Sequence, residues 1–546
     1  MELSDSNCKF SLINQNPNEI QLINFSEDNN YSIPLIVSFS ENKKEIKIGQ
    51  EAQNDLMKNP SQTIFNIIKL LTKKSEDIPK EILPFKIYFT KDEENKAYIK
   101  INFGPQKDKI FYIENILSIY FQKLFEKFVH RIKFENEINK ANIKIILVIA
   151  IPDYFTYYHR KLIEEMFKQE VIPKLNNYNK IINFNLEKIV IKNSSNISSL
   201  LYIMNNPDKI KNNINNNNIL VINIDKGSSN ISIVASNKEN NKEKMNFKIK
   251  ACTSFTKGTN DILEDFIFYI LNNRLDIKIK NEILKSPLAL VKMRNLCEKI
   301  KHELLSNNKT QFNLKQILNE FVNDNNKVIE ININEYENCF YNYVYDFKQV
   351  INKMIEYNNF NKSNCIINEI IYIGDIFKEE NIMINIEELF KQKNLLSDDA
   401  LINNNDYSDN EFYAVGGACF YSINLKNNIF SFKDISHFNL GLKTYNDTLY
   451  YLTKKGDIIP KRNKDTIKIG KSSELELYEE DNKTKEKKLI GKFDIDNNIN
   501  YNENKLNYNE ITIEYVINED LNLTIKIYIG ENFSKEINCK LFLYKT

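Results

Sequence analysis

The sequence predicts an α/β region followed by an all-β region, and three observations carry that expectation. Strand-length apolar runs alternate with apolar faces at helical spacing over the first three quarters of the chain. Beyond about residue 434 only short strands with period-two alternation remain. At 546 residues the chain is also too long for a single core. We expect one unit over 1–427, a connector over 428–433 and a β-sandwich over 434–546.

In chain order, Ile116, Leu117, Tyr120, Phe121, Leu124, Phe125, Phe128 and Val129 recur on one helical face, which is core packing. Ala141 to Ile151 (ANIKIILVIAI) is a near-continuous apolar run of buried-strand length, stopped by Pro152. Strands are expected at Glu187 to Ile191, in a hairpin over 219 to 234, and at Lys327 to Asn334 and Ile366 to Ile373. Helices are expected at Asp261 to Arg274, Leu288 to Leu305, Glu335 to Tyr357 and from about Ala414. The Asn-rich stretch Asn205 to Asn218 reads as an exposed loop. Asn428 to Lys433 (NIFSFK) carries Ile429, Phe430 and Phe432, too apolar for a flexible linker, so it should dock. In the β region, Ile511, Ile513 and Tyr515, then Leu523, Ile525 and Ile527, alternate with polar residues, and Leu475 and Leu477, then Leu489 and Phe493, belong to two more strands.

The hairpin turn carries the first functional signal. Ile219 to Val234 reads ILVINIDKGSSNISIV, two apolar strands around a short polar turn. A phosphate cradle needs glycines so that successive N–H groups can close on phosphate oxygens, and an acid at the strand end to hold a metal-bound water. Only Gly227 is present, the strand end is the neutral Asn223, and Asp225 and Lys226 occupy the loop where more glycine is expected. Asp225 would meet a polyphosphate with like charge. The turn points to nucleotide-binding ancestry with a weakened or lost hydrolase. Glycine is scarce throughout, 12 in 546, about 2% against a usual roughly 7%.

Charge and cysteine usage exclude other classes. Lys+Arg 74 against Asp+Glu 73 leaves a net charge of +1, so no global field steers the chain to nucleic acid or an anionic membrane. Cys8, Cys252, Cys297, Cys339, Cys365, Cys419 and Cys539 show no paired spacing, which fits reduced thiols in a cytosol-like compartment and argues against a metal site. No apolar run is long enough to span a bilayer, and the N-terminus has no signal-like start, so we expect a cytoplasmic protein without membrane contact. His130, His159, His302 and His437 lie on separate elements with no acid or nucleophile at motif spacing, so no hydrolase triad is expected. Lys454, Lys455, Lys461, Arg462, Lys464, Lys468 and Lys471, against Asp457 and Asp465, form a local basic run; we read it as a lysine-blunted sheet edge rather than an RNA site.

Several collinear segments carry a resemblance that covers nearly the whole chain. IPLIVSFSENKKEIKIGQEAQNDLMKNPSQTIFNIIKLL (33 to 71), IPDYFTYYHRKLIEE (151 to 165), the hairpin, LCEKIKHELLS (296 to 306), IIYIGDIF (370 to 377) and AVGGACF (414 to 420) occur in the order of the seventy-kilodalton heat-shock protein (DnaK) family. DISHFNLGLKTYNDTLYYLTKKGDIIPKR (434 to 462) and LIGKFDI (489 to 495) resemble that family's substrate-binding β-domain. The resemblance implies a two-lobed, actin-like ATPase-type domain, a hydrophobic linker and a peptide-binding β-sandwich. Family members continue into a helical lid; the chain stops at Thr546, so no lid is expected, as in the ribosome-associated subgroup that pairs with a J-domain protein.

Carried over position by position, the catalytic pattern is degraded and no catalytic residue is assigned. The family's opening phosphate hairpin bears glycine, threonine and an Asp; the equivalent stretch here, ELSDSNCKFSL (2 to 12), has no glycine, and the family's phosphate lysine falls on Ile68, with Lys69 one position late. KNSSNISSLL (192 to 201) lacks the family's glutamate, and the second loop has Asn223 for Asp and Ser228 for Thr. The adenosine side is better kept: Glu298 and Lys301 match the ribose- and base-contacting helix, though His302 stands where an arginine is expected. Gly374 matches the adenosine turn, with Asp375 and Ile376 replacing Gly and Ser, and Gly258 with Asp261 resembles the remaining loop. The implied nucleotide residues are Gly227, Ser228, Gly258, Glu298, Lys301 and Gly374, and the implied peptide-groove residues are Tyr445, Leu449, Ile467 and Leu475, with bulky Tyr445 narrowing the groove.

The resulting expectation is a divergent chaperone or cochaperone that binds ATP or ADP weakly, without a dependable Mg site, and hydrolyses little or none. It would act through a J-domain partner at the ribosome, hold unfolded or nascent polypeptide weakly, and make no direct DNA contact. The connector and sandwich together would form a lasting interface with a partner protein. The alternatives are an active ATP-dependent foldase and a nucleotide-exchange partner of another chaperone.

Overall fold

A computed structural model describes the chain except for residues 14–19, 26–30, 41–44, 92–95, 104–107, 137–141, 179–182, 207–216, 239–244, 319–327, 379, 404–411, 471–473, 482–483, 495–507, 530–531, 538–539 and 542–546. Most of the Asn-rich stretch, together with Lys471 and Cys539, lies outside the described residues.

The apolar run that ends at Pro152 forms the strand Asn142–Ile151, which pairs in parallel with Asn183–Asn193. Burial on both faces of a parallel pair explains why that run is almost continuously apolar. On its other side lies Glu2–Leu3, also parallel, which turns back antiparallel through Asn7–Lys9 and is followed by Ile33–Pro34 to complete five strands. The chain therefore does open with a tight hairpin, and Ser4, Asp5 and Ser6 form its turn.

A second sheet has seven strands in the order Leu396–Asn403, Ile367–Ile373, Asn217–Ile224, Ser229–Lys238, Met245–Phe255, Phe430–Ile435 and Ile458–Ile459. Its central hairpin pairs Ile219 with Val234 and Ile224 with Ser229, so the turn Asp225 to Ser228 projects from the strand ends. The helices Thr259–Asn273, Pro287–Asn307 and Ile333–Tyr357 bury Ile267, Met293 and Phe347 in a common core with Ile222 and Ile370 of the sheet.

Beyond the connector the described residues form two antiparallel sheets. One runs Leu449–Thr453, Asn439–Lys443, Glu474–Glu480, Lys487–Asp494, Lys540–Leu541; the other runs Lys461–Gly470, Tyr508–Ile517, Leu523–Ile529, Asn532–Ile537. Leu440, Leu477 and Phe493 from the first and Ile513, Ile525 and Ile527 from the second are buried in one apolar core. The alternation of inward apolar and outward polar residues in these segments is the physical origin of the arrangement.

The connector docks, and it does so inside the chain. Phe430–Ile435 adds in parallel to the edge of Met245–Phe255, pairing Phe430 with Met245 and Phe432 with Phe247. Phe430 stacks on Phe420 at 5.6 Å, and Tyr421 packs edge-on to Phe432. Both phenylalanines are buried, so the exposed apolar row expected to hold a partner protein does not exist; only Ile429, 37% exposed, faces outward. The sheet edge supplied the hydrogen bonds and the apolar cover that a partner was expected to provide.

Beside the connector, Lys192 donates to Asp434 at 3.3 Å and to the Glu519 carbonyl at 2.8 Å, with its ammonium over the rings of Tyr421 and Phe432. Glu479 of the β region accepts from the N–H groups of Tyr157 (2.8 Å) and Tyr158 (3.2 Å), the first residues of the helix Tyr157–Met166. A carboxylate there meets the positive end of the helix dipole and satisfies N–H groups that have no partner within the helix.

Candidate functional site

The strand-end turns converge tightly. Gly227 lies so close to the first hairpin that an added Cβ would sit 2.5 Å from the Asp5 Cβ, and Ser228 donates to Asp5 Oδ2 at 2.6 Å. The Tyr154 hydroxyl donates to Asp5 Oδ1. Burial pushes the Asp5 carboxyl up from 3.8 to about 6, against the lowering effect of the Ser228 and Tyr154 hydrogen bonds. An acid therefore sits between the two turns, with its oxygens on the groups that would face a phosphate.

The third turn closes on the second. A Cβ on Gly258 would lie 2.1 Å from the Asp225 carbonyl and 2.7 Å from the Ser228 nitrogen. Thr259 N–H donates to the Asp225 carbonyl at 3.1 Å, Asn260 N–H to the Lys226 carbonyl at 2.7 Å, and Gly258 N–H to Asp261 Oδ2 at 2.9 Å. The first N–H groups of the helix Thr259–Asn273 are thus already bonded, and an anion site at a helix start needs them free. Gly374, at φ +120°, packs its Cα against the Ile224 carbonyl, which only glycine permits.

The lysine one position late is the one that faces inward. Ile68 is buried in apolar packing, while the Lys69 ammonium bonds Asp261 at 2.9 Å and Glu264 at 2.7 Å. Arg294 donates to the other Glu264 oxygen at 2.7 Å, and Lys73 stands 3.5 Å from Asp261. Burial alone would lower the Lys69 value, but Glu264 and Asp261 outweigh it and hold it above the ordinary range. Burial likewise raises Glu264, and Lys69 and Arg294 reverse it.

Gly227 and Ser228 are therefore packed on the Asp5 side chain, while Gly258 and Gly374 join the same strand-end turns through the backbone of Asp225, Ser228 and Ile224. Glu298 and Lys301 stand on the helix Pro287–Asn307; Glu298 and His302 are exposed, and Lys301 lies over the Tyr336 ring at 6.0 Å. In the segment without the family's glutamate, Ser195 donates to Asp153, whose carboxyl burial raises to about 7. At the phosphate end the N–H groups of Lys226, Gly258, Thr259 and Asn260, the Ser228 hydroxyl and the Lys69 ammonium are bonded to the chain itself. Sequence reading missed Asp5, Tyr154, Glu264 and Arg294 as parts of this site, and the one available signal was the acid in the turn of a hairpin already aligned with a phosphate loop.

The groove residues are placed as follows. Ile467 and Leu475 are buried in the sandwich core, Leu449 is half-buried against Gly441, and Tyr445 is 45% exposed. The Tyr445 N–H donates to the Lys468 carbonyl at 3.0 Å, tying the loop between two strands of one sheet directly to the other sheet. In the basic run, Lys461 pairs with Asp457, Arg462 with Glu514 and Lys468 with Glu510, while Lys454 and Lys464 lie over the rings of Tyr451 and Tyr528. Those pairings suit a solvated sheet edge.

One alternative chemistry needs weighing. Cys252 Sγ lies 2.8 Å from His437 Nδ1, and His437 Nε2 lies 3.4 Å from Asp434, an ordering of thiol, imidazole and carboxylate. All three groups are buried, and burial pushes the Cys252 thiol far up. A nucleophile needs the thiolate and an approach for substrate, and this cluster has neither. Among the described residues no group of three or more His, Cys, Asp and Glu is placed to hold a metal, and no helix is long and apolar enough to cross a membrane.

Comparison with known proteins agrees with the fold. The family model described as Hsp70 protein matches residues 1–528. The chain is similar to heat shock cognate 70 kDa protein 3 of Dictyostelium discoideum, 22% identical over 86% of this chain and 69% of that protein. It is also similar to heat shock 70 kDa protein 2 of Paracoccidioides lutzii, 20% identical over 86% of this chain and 66% of that protein. The chain belongs to the Hsp70 family, whose members bind ATP and ADP, and it is a divergent member.

Proposed function

We propose that this Hsp70 family member is a chaperone or cochaperone that works through protein contacts, with adenine nucleotide held weakly and hydrolysed little or not at all. The observation that carries the reading is the loss of acids around the phosphate turns; Asp5, in a hairpin where the family also has an Asp, accepts from Ser228 and packs on Gly227. The neutral Asn223 and the acid-free segment Asn193 to Ser199 support it, because attack on a γ-phosphate depends on charged groups that position water and offset developing charge. Nucleotide is held from the adenosine side, by Glu298, Lys301 and Gly374. On this reading the protein is cytoplasmic, its partners are a J-domain protein and the ribosome, and unfolded polypeptide binds weakly.

Single-turnover hydrolysis with Mg-ATP tests it. We expect a rate at background, at least about a hundredfold below an ordinary family member, because removal of one electrostatic contact alone can have that effect. Hydrolysis at the ordinary rate, abolished by Ser228→Ala, would overturn the proposal. Calorimetry should find ADP bound nearly as well as ATP, and a strong Mg-dependent preference for ATP would count against it.

A further inference from the structure

We infer that the carboxylates of Glu264 and Asp261 stand in for a polyphosphate, so that the chain's own ion cluster holds the cleft shut without nucleotide. The inference deepens the proposed function and rests on it. Lys69 and Lys73 arrive from the helix Ile67–Thr72 and its end, Arg294 from Pro287–Asn307, and both carboxylates from Thr259–Asn273. The cluster therefore ties together segments that are distant in sequence, with |i−j| of 192 and 195 between Lys69 and its two acids.

Every carboxylate oxygen has a partner. Glu264 Oε2 accepts from Lys69 at 2.7 Å, and Oε1 accepts from Arg294 at 2.7 Å and from Asn66 Nδ2 at 3.4 Å. Asp261 Oδ1 accepts from Lys69 at 2.9 Å and lies 3.5 Å from Lys73, while Oδ2 accepts from the Gly258 N–H at 2.9 Å. Lys69 is 5% exposed and Glu264 4%. Buried charges persist when they are paired and hydrogen-bonded, and here every oxygen of the two carboxylates is satisfied without a ligand.

Gly258 belongs both to this cluster and to the turn packed on Ser228, so the cluster and the closed phosphate turns form one unit. Two carboxylates already neutralise most of the charge of three cations. An entering polyphosphate would have to take those cations from Glu264 and Asp261, and it would meet both acids and Asp5 with like charge.

Hydrogen exchange on the full-length protein tests this without a variant. Amides of 66–73 and 258–266 should exchange slowly without nucleotide and change less than about twofold when Mg-ATP is added. Slowing by about tenfold or more on addition would show a cleft that nucleotide closes, and would overturn the inference. The second arm is Glu264→Gln, which keeps the shape and removes one anion. Its affinity for inorganic triphosphate at low salt should rise about tenfold or more, and the gain should fade as salt screens the freed Lys69 and Arg294. Unchanged affinity in a folded variant overturns the inference. If that variant does not melt cooperatively, Lys69→Met combined with Glu264→Leu removes one cation and one anion together. It should melt cooperatively, because apolar replacement of a buried ion pair is often near neutral, and its exchange in the same two segments should change less than about twofold on addition of Mg-ATP; slowing by about tenfold or more overturns the inference. Nucleotide-sensitive exchange with background hydrolysis removes the clamp and leaves the proposed function; hydrolysis at the ordinary rate removes both.

Discussion

Two buried aspartates, Asp5 at the turns and Asp434 at the connector, have opposite surroundings. Asp5 accepts from two hydroxyls and has no ion pair among the described residues, Lys73 acting on it only from a distance, and burial carries its carboxyl up to about 6. Burial would also raise Asp434, but Lys192 and His437 reverse this and hold it well below the ordinary carboxylate range. The junction of connector and β region is therefore built to keep a charge pair, whereas among the described residues the acid at the turns is held by hydroxyls rather than by a paired cation. That contrast separates the two buried acids by whether a cation is paired with them.

The largest expected effect is at the junction. Asp434→Asn strands the buried Lys192 without its carboxylate, and breaking one partner of a buried pair should lower stability by about 3–5 kcal/mol. Denaturant unfolding measures it, and a loss below about 1 kcal/mol would mean that the pair is solvated in solution and the contrast is false.

The second effect reads the contrast through pH. A carboxyl raised from 3.8 to about 6 contributes stability that is full below about pH 4 and is lost as pH rises through 6, by about 3 kcal/mol. Asp434, lowered, contributes in the other direction, and its stabilisation is lost only as pH falls below about 4. Asp153, raised to about 7, adds to the Asp5 trend. Asp5→Asn should therefore flatten the decline between pH 4 and 6 and leave the acid side unchanged. An unaltered slope in thermal unfolding across that window would place water or a cation at Asp5.

The smallest effect sharpens the junction. Glu479→Gln keeps an acceptor at the start of Tyr157–Met166 but removes the charge facing the helix dipole, for about 1–2 kcal/mol. The pairing of connector and sheet should survive, so protection of the Phe430–Ile435 amides from exchange should remain while the global midpoint falls. Loss of that protection would show that Glu479, rather than the strand pairing, holds the junction.

Much of this was legible in the chain. The central hairpin, the long parallel strand before Pro152, the three principal helices and the period-two strands after residue 434 follow from apolar spacing, and their observed bounds differ from expectation by a few residues at most sites. The docking of NIFSFK was legible too, from three apolar side chains in a six-residue connector. What covers them was not, because Phe430 and Phe432 meet Phe420, Tyr421 and Phe247, and only the folded sheet edge brings these together.

At the candidate site the sequence determined composition: one glycine in the turn, Asn223 for an acid, Ser228 for Thr, and no glutamate between Lys192 and Leu201. Tertiary structure decided orientation and contact. Neighbouring helical residues point about 100° apart, so the packing of Ile68 into the core turns Lys69 away from it, toward Asp261 and Glu264. Asp5 is 223 positions from Ser228, and Glu479 is 322 from Tyr157. Apolar periodicity is a local property and reports which faces are buried, whereas the partner of a buried charge is set by which distant segments the core brings within hydrogen-bond reach.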